Sequence, residues 1–302
     1  MKRLDFIRST FAVSGGLIIT PSLLSQQPLV KRKPQKLIVL HTNDTHSNID
    51  PFPPNHAKYP GLGGIEQRFQ LIEQIRNSED NVLLIDAGDI FQGTPYFNKY
   101  KGVLEMKLMS ELGYEVATMG NHDFDIGLEG FQRAREFANF QFVCSNYDFT
   151  DTILKNETKE NVIIQKGRIK VGIFGIGVQL NGLVPDSKYG ATVYHDPVTI
   201  ANQQALELTN KGCDLVICLS HLGYEYASEK ISDRKLAQQT RNIHLIIGGH
   251  THTFLDKPTE EKNLDNQTVL INQVGWAGIN LGRIDFTFES GHTHKNDVLE
   301  VR

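Results

Sequence analysis

Short apolar runs alternate with helix-patterned stretches along most of the chain. The runs have the length of buried strands and cover residues 37–40, 82–85, 116–119, 141–144, 162–165, 170–176, 215–219, 244–247, 268–272 and 282–288. Apolar side chains recur at the helical period in residues 65–75, 103–112, 128–138 and 198–208. Alternating strands and helices predict an α/β domain built around largely parallel strands. Because no helical pattern separates the last two runs, we expect an antiparallel edge or a second sheet at the C-terminal end.

Composition and charge exclude several classes of protein. The chain has 302 residues, of which 39% are hydrophobic and 22% charged, as in ordered globular proteins. Its formal net charge of −4 does not attract a polyanion, so we expect no nucleic-acid polymer among its partners. Cys144, Cys213 and Cys218 are too few for a disulfide framework or a four-thiolate zinc site.

The N-terminal segment resembles an export signal. Lys2, Arg3 and Arg8 form a basic head, and residues 11–24 form an apolar stretch that is too short to span a membrane. Leu4 stands where a twin-arginine signal has its second arginine, so the expected route is Sec or a degenerate twin-arginine type. The alternative is an amphipathic helix packed on the domain. An export signal predicts a periplasmic or extracellular protein without a stable membrane anchor.

The predicted domain organisation follows from the change in composition after this segment. Residues 1–25 form the signal, and residues 26–36 form a polar, proline-containing linker. Residues 37–302 form one domain, because no sharp boundary interrupts the pattern of runs and helices.

Groups of Asp, Asn and His residues directly follow five of the apolar runs. The groups lie at residues 41–46, 86–89, 120–125, 220–221 and 248–252. If the runs are parallel strands of one sheet, their carboxyl ends meet at one edge, which is where open α/β sheets bind ligands. We therefore expect the groups to converge on one site.

The converging side chains have the chemistry of metal ligands. Several buried carboxylates without a cation would repel one another. A mixture of nitrogen and oxygen donors suits Zn, Mn, Fe, Co or Ni better than Ca or Mg. The candidate donors are Asp44, His46, Asp89, Asn121, His221, His250 and His252. This set is too large for one tetrahedral site, but it fits two divalent ions that share a bridging carboxylate, an arrangement suited to in-line displacement at phosphorus.

The five groups, in this order, resemble the signature of calcineurin-like metallophosphoesterases. The matching text is HTNDTHSNI, DAGDIFQGTPY, MGNHDFDIG, SHLGYE and GGHTHTFL. The similarity is greatest to the 5′-nucleotidase branch, which includes UDP-sugar hydrolases and 2′,3′-cyclic phosphodiesterases, and it extends over residues 37–288. The resemblance implies a four-layer α/β/β/α sandwich of two mixed sheets flanked by helices.

The resemblance also implies a role for each residue of the motifs. One metal ion would be held by Asp44, His46, Asp89 and His252, and a second by Asp89 as the bridge together with Asn121, His221 and His250. His122 and Asp125 would form a catalytic pair, in which Asp125 accepts one imidazole proton and the other N–H serves the phosphate. Asn121 and His122 would also contact the substrate, and a hydroxide bound to the metals would be the nucleophile.

The expected function is hydrolysis of nucleotide phosphomonoesters by an exported, dinuclear-metal phosphoesterase of the 5′-nucleotidase type. The alternatives are a 2′,3′-cyclic-nucleotide phosphodiesterase, a UDP-sugar hydrolase, a thiosulfohydrolase or a non-catalytic subunit that depends on a partner. Many members of the branch carry a C-terminal nucleotide-specificity domain, whereas this chain ends at Arg302, just after the predicted catalytic domain. We expect either a separately encoded domain of that type as a partner or loose specificity for small phosphoesters.

Two aromatic features near the motifs have plainer interpretations. We expect Trp276 to pack in the core rather than to contact a substrate. Residues 51–60 form a proline-rich loop, which is expected to be exposed to solvent rather than to overhang the site.

Overall fold

The computed structural model describes residues 34–288 and 292–301, of which residues 292–298 are described by their backbone alone. The strands are β1 (Gln35–Thr42), β2 (Val82–Asp86), β3 (Val116–Ala117), β4 (Gln141–Phe142), β5 (Tyr147–Asp148), β6 (Asn161–Lys166), β7 (Ile169–Ile176), β8 (Val193–Tyr194), β9 (Leu215–Ser220), β10 (Leu245–Gly248), β11 (Thr259–Lys262), β12 (Thr268–Asn272), β13 (Asn280–Phe288) and β14 (His292–Glu300). The helices are α1 (Ile65–Ser78), α2 (Pro95–Tyr100), α3 (Val103–Glu111), α4 (Gly127–Arg135), α5 (Asp186–Tyr189), α6 (Pro197–Asn210) and α7 (Asp233–Gln238). A 3₁₀ turn at His122–Phe124 lies between β3 and α4.

Two six-stranded sheets form the centre of the fold. The first has the strand order β14-β13-β1-β2-β3-β4, and the second has the order β11-β12-β10-β9-β7-β6. Strands β1 to β4 run parallel, and so do β7, β9, β10 and β12. Antiparallel partners flank each parallel set, with β13 beside β1, β6 beside β7 and β11 beside β12. Both sheets are therefore mixed, and the α/β class is confirmed.

Alternating side chains on the strands separate three hydrophobic layers. On β1, Leu37 and Val39 pack between the sheets, in the same cluster as Ile217 of β9. Ile38 and Leu40 point the other way, into a cluster that includes residues of α1, α3 and α4. The outer face of the second sheet packs against α6 and α7. Each fully buried aliphatic side chain contributes about 1.5–3 kcal/mol, so the four layers α/β/β/α are held by burial on both faces of each sheet.

The polar groups that follow the strands belong to two sheets, whereas the apolar pattern alone predicts one. Strands β1, β2 and β3 lie in the first sheet, and β9 and β10 lie in the second. An apolar run shows that a segment is a strand but does not show which strand pairs with it. The two-sheet arrangement implied by the family resemblance is the one observed.

Strand β1 begins two residues before the predicted start of the domain. Gln35 pairs with Phe288 of β13, which extends the antiparallel ladder towards the N-terminus. Lys36 forms ion pairs with Glu79 and Asp285, at 2.8 and 2.9 Å. The predicted signal and the first part of the predicted linker lie outside the described residues.

Several elements are not predicted by the apolar pattern. The short helices α2, α5 and α7 and the short strands β5, β8 and β11 give too little periodicity to be recognised. Strand β14 comes from a polar segment that pairs along the whole of β13. Among the described residues, no helix has the length and apolarity needed to cross a bilayer.

Candidate metal centre

The loops after five strands come together at one end of the two sheets. The loops after β1, β2 and β3 carry Asp44, His46, Asp89 and Asn121, and the loops after β9 and β10 carry His221, His250 and His252. Backbone hydrogen bonds join the first two loops, because Asp44 N–H donates to the Gly88 carbonyl at 2.9 Å and His46 N–H donates to the Asp89 carbonyl at 3.0 Å. The donors therefore stand on loops that brace one another.

The structure brings six of the candidate donors into two compact groups. In each group one ligand atom per residue lies within 4.8 Å of the other two, and the groups are Asp44 with His46 and His252, and Asp89 with His221 and His250. Asn121 stands directly beside the second group, because its neighbour His122 donates its backbone N–H to Asp89 at 2.7 Å. Each group combines one carboxylate with two imidazoles, a donor set that borderline divalent metals favour.

Two carboxylates connect the groups. Oδ2 of Asp89 is 3.0 Å from Nε2 of His221 and 3.8 Å from Nε2 of His46. Oδ1 of Asp44 is 3.4 Å from Nε2 of His252 and 3.9 Å from Nε2 of His221. The Nε2 atoms of His46 and His252 are 3.0 Å apart. Two carboxylates held so close to one another favour positive charge between them, which divalent ions would supply.

Backbone carbonyls orient two of the imidazoles. Nδ1 of His46 lies 3.1 Å from the carbonyl oxygens of both Phe91 and Gln92, and Nδ1 of His221 lies 2.7 Å from that of Ala87. Because a carbonyl only accepts, each Nδ1 carries the proton. The Nε2 lone pair is thereby left for a metal ion.

The pKa values of two histidines depend on the neighbouring carboxylates and on each other's charge. Burial lowers the pKa of His221, but the carboxylates of Asp89 and Asp44 outweigh burial and raise it to about 10. Burial and the adjacent His221 lower the pKa of His250 to about 4. A proton on His221 thus balances the carboxylates, and a divalent ion in the same position would displace that proton.

Asn121 offers an oxygen that no described protein group uses. Its Oδ1 is buried and has no hydrogen-bond partner within the part of the chain that the structure describes. Small residues make room beside it. A Cβ atom at Gly120 would lie 2.2 Å from Oδ1 of Asp89, and one at Gly249 would lie 2.7 Å from Nδ1 of His221. An unpaired amide oxygen beside carboxylates and imidazoles fits a divalent cation, so the residues present fit the two ions that the sequence predicts.

Five of the donors have backbone conformations in the left-handed region. The φ angles are 49° at Asp44, 48° at His46, 55° at Asp89, 74° at His250 and 52° at His252. Each such conformation costs a residue other than glycine about 1–2 kcal/mol. The cost is offset by the hydrogen bonds between the loops, and strain of this kind concentrates at functional sites.

Asp123 ties together the loops after β2 and β3. Its two carboxylate oxygens accept hydrogen bonds from the backbone N–H groups of Asp89, Ile90, Phe91 and Gly120, at 2.8–3.1 Å. Burial and the nearby Asp89 raise the pKa of Asp123 to about 8, although the N–H donors oppose the rise. Sequence reasoning missed this role, and its only signal was a position next to the predicted catalytic histidine.

Two side-chain amides, also missed from sequence, fix the remaining loops. Nδ2 of Asn43 donates to Oδ2 of Asp44 at 2.6 Å and to the Gly275 carbonyl at 2.7 Å. Nε2 of Gln273 donates to the Gly249 carbonyl at 2.7 Å. These bonds attach the loops after β1 and β10 to the segment that follows β12. Asn43 lies inside the first motif, but its amide could not be assigned before the fold was known.

The structure brings His122 and Asp125 together at the mouth of the site. Nδ1 of His122 lies 2.8 Å from Oδ2 of Asp125. The two side chains are 38% and 30% exposed, whereas those of Asp44 and His221 are fully buried. The hydrogen bond to Asp125 raises the pKa of His122, burial opposes this, and the Asp89 carboxylate adds to the rise. The pair therefore stands between the buried donors and solvent.

Comparison with known proteins shows the family to which the chain belongs. The family model for calcineurin-like phosphoesterase matches residues 37–254. The chain is 28% identical to the 5′-nucleotidase of Diplobatis ommata over 295 residues, which cover 91% of this chain and 50% of that protein. It is 32% identical to the snake venom 5′-nucleotidase of Naja atra, with coverage of 84% and 50% respectively.

Solved structures show the same relationship. The crystal structure of a 5′-nucleotidase precursor from Thermus thermophilus aligns with a TM-score of 0.79 and 30% identity, over 88% of this chain and 55% of that chain. The NAD nucleotidase of Haemophilus influenzae aligns with a TM-score of 0.77 and 26% identity, over 89% and 51% respectively. The chain thus spans about half the length of these relatives. Because the family model covers more than half of the chain, this protein belongs to the calcineurin-like phosphoesterase family.

Proposed function

We propose that this protein is a metal-dependent phosphoesterase of the 5′-nucleotidase type, which hydrolyses phosphomonoesters of nucleotides. The observation that carries the proposal is the pair of donor groups connected through Asp89, with His122 beside them at the mouth. Two adjacent divalent ions hold both the attacking and the leaving oxygen of an in-line displacement at phosphorus. The relatives named 5′-nucleotidases support the choice of a nucleotide substrate.

Two divalent ions would be the cofactors, with Zn, Mn, Fe, Co and Ni as the candidates. The first ion would be held by Asp44, His46, Asp89 and His252, and the second by Asp89, Asn121, His221 and His250. When bound, the ions would supply positive charge to the phosphoryl oxygens and lower the pKa of the attacking water. The nitrogen-rich donor set argues against Ca or Mg.

His122 would be the proton donor, and with Asn121 it would contact the substrate. Asp125 accepts the hydrogen bond from Nδ1 and holds the ring in place, so Nε2 is the nitrogen available to the substrate. From Nε2 a proton would pass to the oxygen of the leaving alcohol as the P–O bond breaks. The exposure of this pair, compared with the buried donors behind it, supports a leaving group on the solvent side.

The proposed organisation includes export and a partner. Residues 1–25 would direct the chain to the periplasm or the cell exterior, residues 26–36 would be the linker, and residues 37–302 would be the catalytic domain. A nucleotide-specificity domain, separately encoded, would be the partner that completes substrate recognition. The match to this chain covers 50% of the 5′-nucleotidase of Diplobatis ommata. Co-purification with such a domain would support the proposal, and AMP preference by the isolated chain would argue against the need for a partner.

A panel of phosphoesters tests the activity. The purified chain would receive Mn, Zn, Co or Ni separately, and phosphate release would be followed from AMP, 2′,3′-cyclic AMP and a UDP-sugar. We expect turnover of AMP with at least one metal. We also expect His122→Ala to lower kcat by about 10²–10⁴-fold while its metal content stays unchanged. His195→Ala makes the same change at an exposed position and is the matched control. Inactivity on every ester with two ions bound would refute the proposal.

A further inference from the structure

A buried network of hydrogen bonds lies beside the candidate metal centre. Nη1 of Arg68, on α1, donates to Oη of Tyr114 at 3.4 Å. Oη of Tyr114 lies 2.7 Å from Oγ1 of Thr42, at the end of β1. Oγ1 of Thr42 donates to Oδ2 of Asp86, at the end of β2, at 2.6 Å. The four side chains of this buried network are between 0 and 4% exposed, and they link α1 to the ends of two strands that lead into the site.

The hydrogen bonds of the buried network run in one direction. A guanidinium group only donates and a carboxylate only accepts. The single O–H of Thr42 therefore goes to Asp86, which leaves Tyr114 as the donor to Thr42. Each bond then points from the positive charge of Arg68 towards the negative charge of Asp86, and bonds aligned in this way strengthen one another. Burial raises the pKa of Asp86 to about 7, and the hydrogen bond from Thr42 and the charge of Arg68 are among the causes that oppose the rise.

The second oxygen of Asp86 holds the loop that follows β2. Its Oδ1 accepts from the backbone N–H of Gly88 at 2.9 Å, and the Gly88 carbonyl accepts from Asp44 N–H at 2.9 Å. A Cβ atom at Gly88 would lie 2.5 Å from the backbone nitrogen of Gly120, so the peptide has little space in which to move. Asp89 is the next residue of the same loop. The orientation of Asp86 therefore bears on both carboxylates of the site.

The arginine end of the buried network reaches Asp44 from the other side. A Cβ atom at Gly278 would lie 2.8 Å from Nη2 of Arg68, so the guanidinium packs closely against this glycine. The neighbouring Ala277 donates its N–H to the Asp44 carbonyl at 2.8 Å. Both backbone groups of Asp44 are thus bound by segments that border the two ends of the network. Asp44, with a φ angle of 49°, has a conformation that needs such support.

We infer that Asp86 is a positioning residue of the metal centre. Held in one orientation by the buried network, it fixes the backbone of Gly88 and thereby the spacing of Asp44 and Asp89. This inference rests on the proposed function, in which those two carboxylates hold the first ion. Because a divalent ion accepts only a narrow range of ligand positions, groups that orient the ligands control its affinity.

Two substitutions of Asp86 separate positioning from charge. Asp86→Ala removes the acceptor of Gly88 N–H, and we expect Zn²⁺ binding to weaken by about 10–100-fold. Asp86→Asn retains an oxygen for Gly88, and its NH₂ group donates to Thr42 in the reverse direction. We expect Asp86→Asn to restore most of the affinity, although its Tm falls because Arg68 loses its counter-charge. Competition with a chromophoric chelator measures the affinity, and equal losses in both variants would overturn the inference.

The hydroxyl group of Thr42 provides a matched pair of variants. Thr42→Val keeps the shape of the side chain but removes the group that orients Asp86, whereas Thr42→Ser keeps the hydroxyl. We expect weaker Zn²⁺ binding in Thr42→Val and wild-type binding in Thr42→Ser. Wild-type affinity in Thr42→Val would show that the buried network does not orient Asp86.

A third variant excludes a general loss of stability as the cause. Leu208→Ala removes a fully buried side chain on α6, outside the second sheet, and should lower Tm without weakening Zn²⁺ binding. A loss of affinity as large as that of Asp86→Ala would contradict the inference. If Asp86→Ala does not fold, hydrogen exchange of the metal-free wild type decides. We expect slow exchange at the amides of Gly88 and Asp44, and rapid exchange there would overturn the inference.

The two proposals fail in different ways, because none of these measurements uses a substrate. Weakened Zn²⁺ binding in Asp86→Ala, in a protein that hydrolyses no ester, would leave the inference standing and remove the proposed function. Hydrolysis of AMP, with wild-type Zn²⁺ affinity in Asp86→Ala, would keep the function and remove the inference.

Discussion

Replacement of Asp123 by asparagine isolates the role of the carboxylate that joins two loops of the site. An asparagine side chain has the size of aspartate and retains one of its two oxygens. It therefore still accepts hydrogen bonds from two of the four backbone N–H groups that Asp123 binds. The other two N–H groups would face an NH₂ group and lose their acceptor. A buried donor without a partner costs about 1–3 kcal/mol. The expected loss in the free energy of unfolding is therefore about 4 kcal/mol.

Thermal unfolding measures this loss. For a domain of this size, about 4 kcal/mol corresponds to a fall in Tm of about 10 °C. The measurement is made in a chelator, so that metal binding does not contribute, and at one fixed pH for both variants. Asp151→Asn makes the same chemical change at an exposed position and is expected to leave Tm unchanged.

A second measurement separates positioning from general stability. Asp123 binds the backbone N–H of Asp89, so its loss should also weaken metal binding by about 10–100-fold, the usual effect of residues that support a ligand. The assay is a metal titration at a temperature where the variant is folded. Wild-type Tm together with wild-type metal affinity would refute the reasoning.

Three further changes are expected to have distinct effects. Asn121→Ala should lower the metal content from two ions to one per chain by mass spectrometry of the metals, and two retained ions would exclude Asn121 as a ligand. Removal of metal with a chelator should lower Tm, because ions at about 100 times their Kd stabilise the folded state by about 2.7 kcal/mol per site; a Tm insensitive to chelation would contradict the two sites. Gly175→Ala should cost about 1–3 kcal/mol in urea unfolding, because its Cβ would lie 2.0 Å from the Val143 carbonyl oxygen; unchanged stability would mean that the two sheets separate easily there.

The strands and the grouping of most candidate donors could be predicted because both leave a local pattern. Strand β9 is a continuous apolar run, and His221 directly follows it. The same relation holds for β1 with Asp44 and for β2 with Asp89. Where a candidate donor lies within a few residues of the end of a buried strand, its place in the sequence already predicts its place in the fold.

The rest depends on contacts between distant segments. The role of Asp123 comes from N–H groups more than 30 residues away, and that of Gln273 from a carbonyl 24 residues away. The contact between Trp276 and the loop at residues 51–60 joins segments far apart in the chain. The apolar pattern likewise could not show the division into two sheets, which only the family resemblance implied, because nothing local distinguishes a strand that joins one sheet from a strand that joins the other.

The division of the donors between the sheets has a consequence for the chain as a whole. Residues before the exposed turn at 150–151 carry Asp44, Asp89 and Asn121, and residues after it carry every proposed histidine ligand except His46. A nick in that turn would give two fragments, each with an incomplete set of ligands. We expect neither fragment alone to capture two ions, and the recombined pair to do so, which would make metal uptake a reporter for fragment complementation.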